Sequence, residues 1–218
     1  MNAGIDAPLK VRLTGMGRIA GLVGMKKQVA IYLPMLLAFV ALASQVQATP
    51  IFVGSRVALG GNDFVDWGQL GPVFTVVPSP SSNGGIPGIT MTSNGTNMER
   101  RDQGNGWRGN FALGDHLIWN QDTQGNIIID FSTGIFGAGA QMQSDIFGPF
   151  TGTISAFDQS MNLLGIFNFN GTSTTDGDNS AVFAGILDTS PDIFRLVFSA
   201  TDQFGSVDFA INQLDLVT

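Results

Sequence analysis

Three arginines and a tryptophan crowd into one short stretch, Glu99-Arg100-Arg101-Asp102-Gln103-Gly104-Asn105-Gly106-Trp107-Arg108. Guanidinium groups bind carboxylate or sulfate in bidentate fashion, and an indole face stacks on a sugar ring. Arg100, Arg101, Arg108 and Trp107 therefore suit an acidic polysaccharide. The same residues also fit a salt-bridged turn, in which the arginines pair with Glu99, Asp102 and other aspartates, and this is the commoner fate of such a stretch. Trp67 and Trp119 present a similar choice between a sugar platform and an anchor at the edge of the core.

Aspartates form a second group of candidates. Calcium takes six to eight oxygens from carboxylates, amides and carbonyls. Asn62, Asp63 and Asp66 make one cluster, and Asp176, Asp178 and Asn179 another. The second begins like an EF-hand loop but has Ala181 where that loop needs glycine and Leu187 where it needs glutamate. Asx-type turns are the commoner origin of either cluster. Calcium is thus a candidate cofactor, with no other cofactor indicated.

Catalytic chemistry has little to draw on. Glycosidases need a pair of carboxyl groups flanking the scissile bond. Glu99 is the one glutamate in the chain, and no aspartate has a close strand partner except, weakly, the pair Asp63 and Asp66. A serine triad would have to use His116, the only histidine, and no Gly-x-Ser-x-Gly elbow occurs. There is no cysteine, so disulfides and thiolate zinc sites are excluded. The reading is a non-enzyme, with a glycan-acting hydrolase as the alternative from another class.

The elements that must hold these residues follow a leader. Lys26 and Lys27 precede an apolar stretch, Val29–Ala43, and then Ser44-Gln45-Val46-Gln47-Ala48. This is the plan of a secretory signal peptide, with an apolar run shorter than the ~20 residues that span a bilayer. The expectation is a start at Met25, cleavage after Ala48 and residues 1–24 as an upstream extension. Export to the periplasm or the exterior follows. The remaining 170 residues carry five arginines and sixteen carboxylates, a net charge of −11. Such a chain is repelled by nucleic acid and by anionic membrane surfaces.

From residue 51 onward the pattern is that of strands. Ile127, Ile129 and Phe131 alternate with Ile128, Asp130 and Ser132; Phe194 to Ala200 and Val207 to Ile211 alternate likewise. Further strands are expected at 51–58, 73–77, 88–93, 107–112, 137–143, 149–157, 162–169 and 181–187. Gly, Asn, Asp and Ser clusters separate them, among them Gly60–Asp63, Ser79–Gly85, Asn94-Gly95, Asn105-Gly106, Thr123–Asn126 and Gly171–Asn179. No window shows a clean helical period. Ten or eleven short strands predict one all-β domain, 49–218: an antiparallel β-sandwich, jelly-roll-like. Phe131, Ile154, Leu196, Phe198, Phe209 and Ile211 should line its core.

Several segments resemble exported proteins of the PEP-CTERM group of cyanobacterial and other Gram-negative type. They are Asp63-Phe-Val-Asp-Trp-Gly-Gln-Leu-Gly-Pro72, Trp107-Arg-Gly-Asn-Phe-Ala-Leu-Gly-Asp115, Phe136-Gly-Ala-Gly-Ala-Gln-Met-Gln143, Phe147-Gly-Pro-Phe-Thr-Gly-Thr-Ile154, Asp178-Asn-Ser-Ala-Val-Phe-Ala-Gly185 and Asp208-Phe-Ala-Ile-Asn-Gln-Leu-Asp215. The resemblance implies a secreted or surface-displayed jelly-roll-like protein associated with extracellular polysaccharide matrix, and no catalytic residues. The group's Pro-Glu-Pro sorting tail does not follow Leu216-Val217-Thr218, so release or periplasmic retention is expected. A calcium-stabilised structural or adhesion protein is the second non-enzymatic expectation.

Overall fold

The computed structural model describes residues 49–78, 88–93, 97–121 and 125–218. The expected leader and the turn candidates Ser79–Gly85 and Asn94-Gly95 fall outside these, as do Thr123 and Gln124 of Thr123–Asn126. Ala48–Thr218 is a compact unit with its own core.

The chain opens with β1 (Ile51–Val53), a one-turn helix α1 (Arg56–Leu59), β2 (Asp63–Val65) and a 3-10 turn over Trp67–Leu70. Short strands follow: β3 (Val76–Val77), β4 (Ile89–Ser93), β5 (Met98–Gln103), β6 (Gly106–Trp107) and β7 (His116–Trp119). The long strands are β8 (Ile127–Ile135), β9 (Gly137–Ser144), β10 (Gly148–Phe157), β11 (Leu163–Ser173), β12 (Val182–Leu187) and β13 (Ile193–Asp202). The hairpin strand β14 (Gly205–Ser206), then β15 (Phe209–Ile211) and β16 (Leu214–Val217), complete the chain.

These strands build a jelly-roll-like sandwich of two sheets. The larger runs β1-β12-β9-β15-β7-β5-β3, with β16 bridging β9 and β2, and β6 beside β5. The smaller runs β11-β10-β13-β8-β4, with β14 on β13. Every pairing is antiparallel except β5 with β6. Alternation decides which residues fill the space between the sheets. Ile154, Leu196 and Phe198 point inward from the small sheet, and Ala138, Ala140, Met142, Phe209 and Ile211 from the large one. All six residues expected in the core are buried.

Two glycines shape the β10–β11 ladder. Gly152 stands opposite Phe169, and Gly171 opposite Phe150. A Cβ on Gly152 would lie 2.2 Å from the Phe169 ring, and one on Gly171 2.4 Å from the Phe150 ring. Each phenylalanine therefore lies across its glycine partner, where a side chain would force it away.

The expected strand 51–58 stops at Val53, because Ser55 caps α1: its Oγ accepts from the Ala58 N–H, and Gly60 ends the turn at φ 66°. Of the expected strand 107–112 only Trp107 lies in a strand, as the end of β6, and Glu99–Gln103 of the arginine-rich stretch belong to the strand β5. Residues 171–173, expected to turn, extend β11.

Candidate functional site

Arg100 and Arg101 point to opposite faces of β5, as neighbours on a strand must. Arg100 is buried and pairs with Asp102. Arg101 faces the outer side of the large sheet, where its guanidinium lies 4.5 Å from the Trp119 ring and 4.9 Å from the Phe74 ring. Its Nε is 2.6 Å from Glu99 Oε1, and its Nη1 donates to the Gly106 carbonyl at 2.8 Å. Phe74 holds its place in the left-handed region at φ 70°, an uncommon conformation for a bulky residue. Arg108 is exposed. The three arginines do not converge, and Arg100 and Arg101 each pair with a carboxylate of their own strand.

The tryptophans are equally committed. Trp107 is 4% exposed and packs edge-on to Trp119 and beside Phe111, under residues 108–115. Trp119 donates its Nε1–H to Asp208 at 3.1 Å, and Trp67 donates to the Asn212 carbonyl at 2.7 Å from the central core. All three rings are interior anchors, so none offers a face to a sugar. The Arg–Trp stretch is a structural clasp.

The two aspartate clusters are distributed among local tasks. Asn62 clamps the chain end, exchanging hydrogen bonds with Thr218. The Asp63 side chain accepts from Phe64 N–H. Asp66 caps the 3-10 turn by accepting from Gly68 N–H at 2.8 Å, and it lies 2.6 Å from His116 Nδ1. Burial raises its pKa, but the Gly68 and His116 hydrogen bonds and the His116 and Arg100 charges outweigh that and hold it below the usual value. Asp178 is held low by the Ser180 hydroxyl and backbone, and Asp176 accepts from Thr174. Asn179 takes the left-handed region at φ 64° and accepts from Gln141. Among the described residues no group of three or more His, Asp or Glu is arranged to hold a metal.

These turns serve a buried amide network. Gln141, Gln143 and Asn212 project from the outer face of the large sheet. Gln143 accepts from Asn110 N–H at 2.7 Å and donates to Ser173 at 2.6 Å. Asn110 donates onward to Thr174 and Ser180, and Asn212 to Asp115 and Gln141. The network pins residues 108–115 and 174–181 over the sheet and satisfies polar groups that burial would otherwise penalise.

The small sheet's outer face is different. Thr151 stands between Asn170 and Thr201, and Thr153 between Asn168 and Ser199. Thr151 and Thr153 donate to the Oδ1 atoms of Asn170 and Asn168 at 3.3 and 2.8 Å. That leaves both asparagine Nδ2 groups without a protein acceptor among the described residues. Both are exposed donors.

At the end of this ladder lies a groove of about 540 Å³, within the ~300–1,000 Å³ usual for ligand sites. Its floor includes Thr151, Asn170, Thr172 and Thr201. Phe147, in the β9–β10 connection, and Phe204, at the β13–β14 hairpin tip, form its rim. Phe204 is 85% exposed. Its hairpin has two loop residues, set by the Asp202 carboxylate accepting from Phe204 N–H at 2.7 Å and by Gly205 at φ 127°. Asp202 is the one charged residue among the described residues lining the groove. Spacing does not mark this site, since an isolated phenylalanine in Asp202-Gln203-Phe204-Gly205 looks like ordinary turn flank. An apolar aromatic at a two-residue hairpin tip was the available signal.

No protein-family model matches the chain, and no curated protein matches it in sequence. Solved structures with a similar fold include a DUF4465 family protein from Bacteroides caccae, 11% identical over 80% of this chain and 96% of that one, with a TM-score of 0.38. The enzymatically active domain of bacteriophage CBA120 tailspike protein 4 is 14% identical over 61% of this chain and 20% of that one, with a TM-score of 0.34. The module CsCBM6-3 from Clostridium stercorarium, solved with cellobiose, is 11% identical over 66% and 94%, with a TM-score of 0.33.

Proposed function

We propose that this chain is an exported, non-catalytic polysaccharide-binding protein of the extracellular or periplasmic space, and that its ligand is a neutral glycan. One observation carries the reading: a single groove joins two exposed phenylalanines to an almost uncharged floor of hydroxyls and amides. Aromatic faces pack against the C–H faces of sugar rings, while threonine and asparagine exchange hydrogen bonds with sugar hydroxyls. A binding site needs few charges for this. An acidic glycan would meet Asp202 and the negative field of the whole molecule. The groove also lacks a second facing carboxyl among its described lining residues, which hydrolysis by a carboxylate pair requires.

Export is supported by the leader pattern, and matrix association by the PEP-CTERM resemblance. The test is affinity electrophoresis in gels containing neutral or acidic polysaccharides. Wild type should be retarded by a neutral glycan, with retardation lost in Phe204→Ala and reduced in Phe147→Ala. No new reducing ends should appear on incubation. Retardation that survives both substitutions together would overturn the groove as the site.

A further inference from the structure

β11 forms one edge of the small sheet, and its pairing partner is β10. Among the described residues no backbone hydrogen bond reaches its outer side. Long edges are normally guarded by charge, proline, bulges or cover, because their unpaired N–H and C=O groups template another strand. β11 has eleven residues, Leu163-Leu-Gly-Ile-Phe-Asn-Phe-Asn-Gly-Thr-Ser173, with no charge and no proline; its one register irregularity, at Leu164, leaves Gly165–Ser173 regularly paired with β10. Leu163 and Ile166 are exposed along it. On the same flank lies β1, the edge of the large sheet, with Ile51 and Phe52 exposed. The two edges touch: Phe52 packs against Phe167 and Phe169, and Pro50 approaches Gly165.

From this we infer that the β11 edge pairs antiparallel with the β11 edge of a second copy. The occupant follows from charge. With −11 on Thr49–Thr218, two copies repel over most of their surfaces, and an uncharged edge is where approach is least opposed. Antiparallel self-pairing puts a two-fold axis perpendicular to the sheet, so the contact closes as a dimer. The two small sheets become one, and Ile51, Phe52, Leu163 and Ile166 of each copy leave water at the seam. The Thr–Asn ladders of both copies then lie on the same side of the joined sheet, with a groove toward each end. The dimer itself does not depend on what the grooves bind.

The experiment is sedimentation equilibrium of Ala48–Thr218 from micromolar to millimolar concentration, on wild type, Ile166→Asp and Ile166→Lys. Ile166 is exposed, so circular dichroism and the melting curve of the dilute proteins should stay close to wild type. Wild type should reach twice the chain mass, and both variants should stay at half that value. Phe204→Ala should dimerise like wild type, which separates this edge from the groove. A wild type that is monomeric throughout would overturn the inference. So would a dimer that Ile166→Asp breaks and Ile166→Lys leaves intact, since that is net-charge repulsion and not edge pairing.

Discussion

Arg101 shows how a residue type that suggests ligand binding can be consumed by structure. Glu99 is buried and also accepts from Gln121 Nε2 at 3.1 Å. Removing the guanidinium leaves that carboxylate uncompensated and the Trp119 face bare. Arg101→Ala should therefore cost about 3–5 kcal/mol, the usual loss when one partner of a buried pair goes. Adding Glu99→Gln should recover part of it, measured by urea unfolding. Asp66 gives the pH counterpart. Its folded pKa is depressed, so its contribution is present above the unfolded aspartate value and is lost as pH falls through the folded one. Asp66→Asn should lower stability slightly at neutral pH and so flatten the acid limb, with the variant and wild type converging once Asp66 is protonated; the loss is small because the side chain is 42% exposed. At this scale the sequence was partly legible. The pairing of arginines with Glu99 and Asp102 was readable from proximity. The burial of Trp107 was not, because the cover comes from residues 108–115, whose position depends on Gln143 far along the chain.

At the scale of elements, the long strands announced themselves and the short ones did not. β8, β10 and β13 alternate over many residues, so their register and core faces could be read directly. β5 reads Met-Glu-Arg-Arg-Asp-Gln, with polar side chains toward both faces, and only its sheet neighbours make it a strand. β2 and β16 pair across most of the chain's length, a contact no local pattern encodes. The core makes a direct prediction: Phe198→Ala should destabilise by about 3–5 kcal/mol, since the ring is fully buried between the sheets. The Gly152–Phe169 pair makes a second. Gly152→Val should cost roughly 1–3 kcal/mol by overpacking. Phe169→Leu in the same chain should cost less than the sum of the two single changes, because the smaller side chain vacates the space that valine needs. A double-mutant cycle in denaturant measures that coupling.

For the molecule as a whole, charge decides what kind of ligand can stay bound. Sixteen carboxylates against five arginines leave Thr49–Thr218 at −11, and Arg56, Arg100, Arg101 and Arg195 each answer a carboxylate in the fold. An acidic polysaccharide would therefore need a positive patch that the fold has already neutralised, whereas a neutral one meets no such barrier. The prediction is that neutral-glycan binding changes little between low salt and a few hundred millimolar. The Debye length shrinks from about 30 Å at 0.01 M to about 10 Å at 0.1 M, but stacking and hydroxyl hydrogen bonds are not screened. Arg101→Ala, assayed at a temperature where it is folded, should bind as wild type does, while Phe204→Ala should lose binding at every salt concentration. Titration calorimetry with a neutral oligosaccharide at two ionic strengths reads both. A steep fall with salt, or loss of binding in Arg101→Ala alone, would move the site back to the arginine-rich strand and sink the groove.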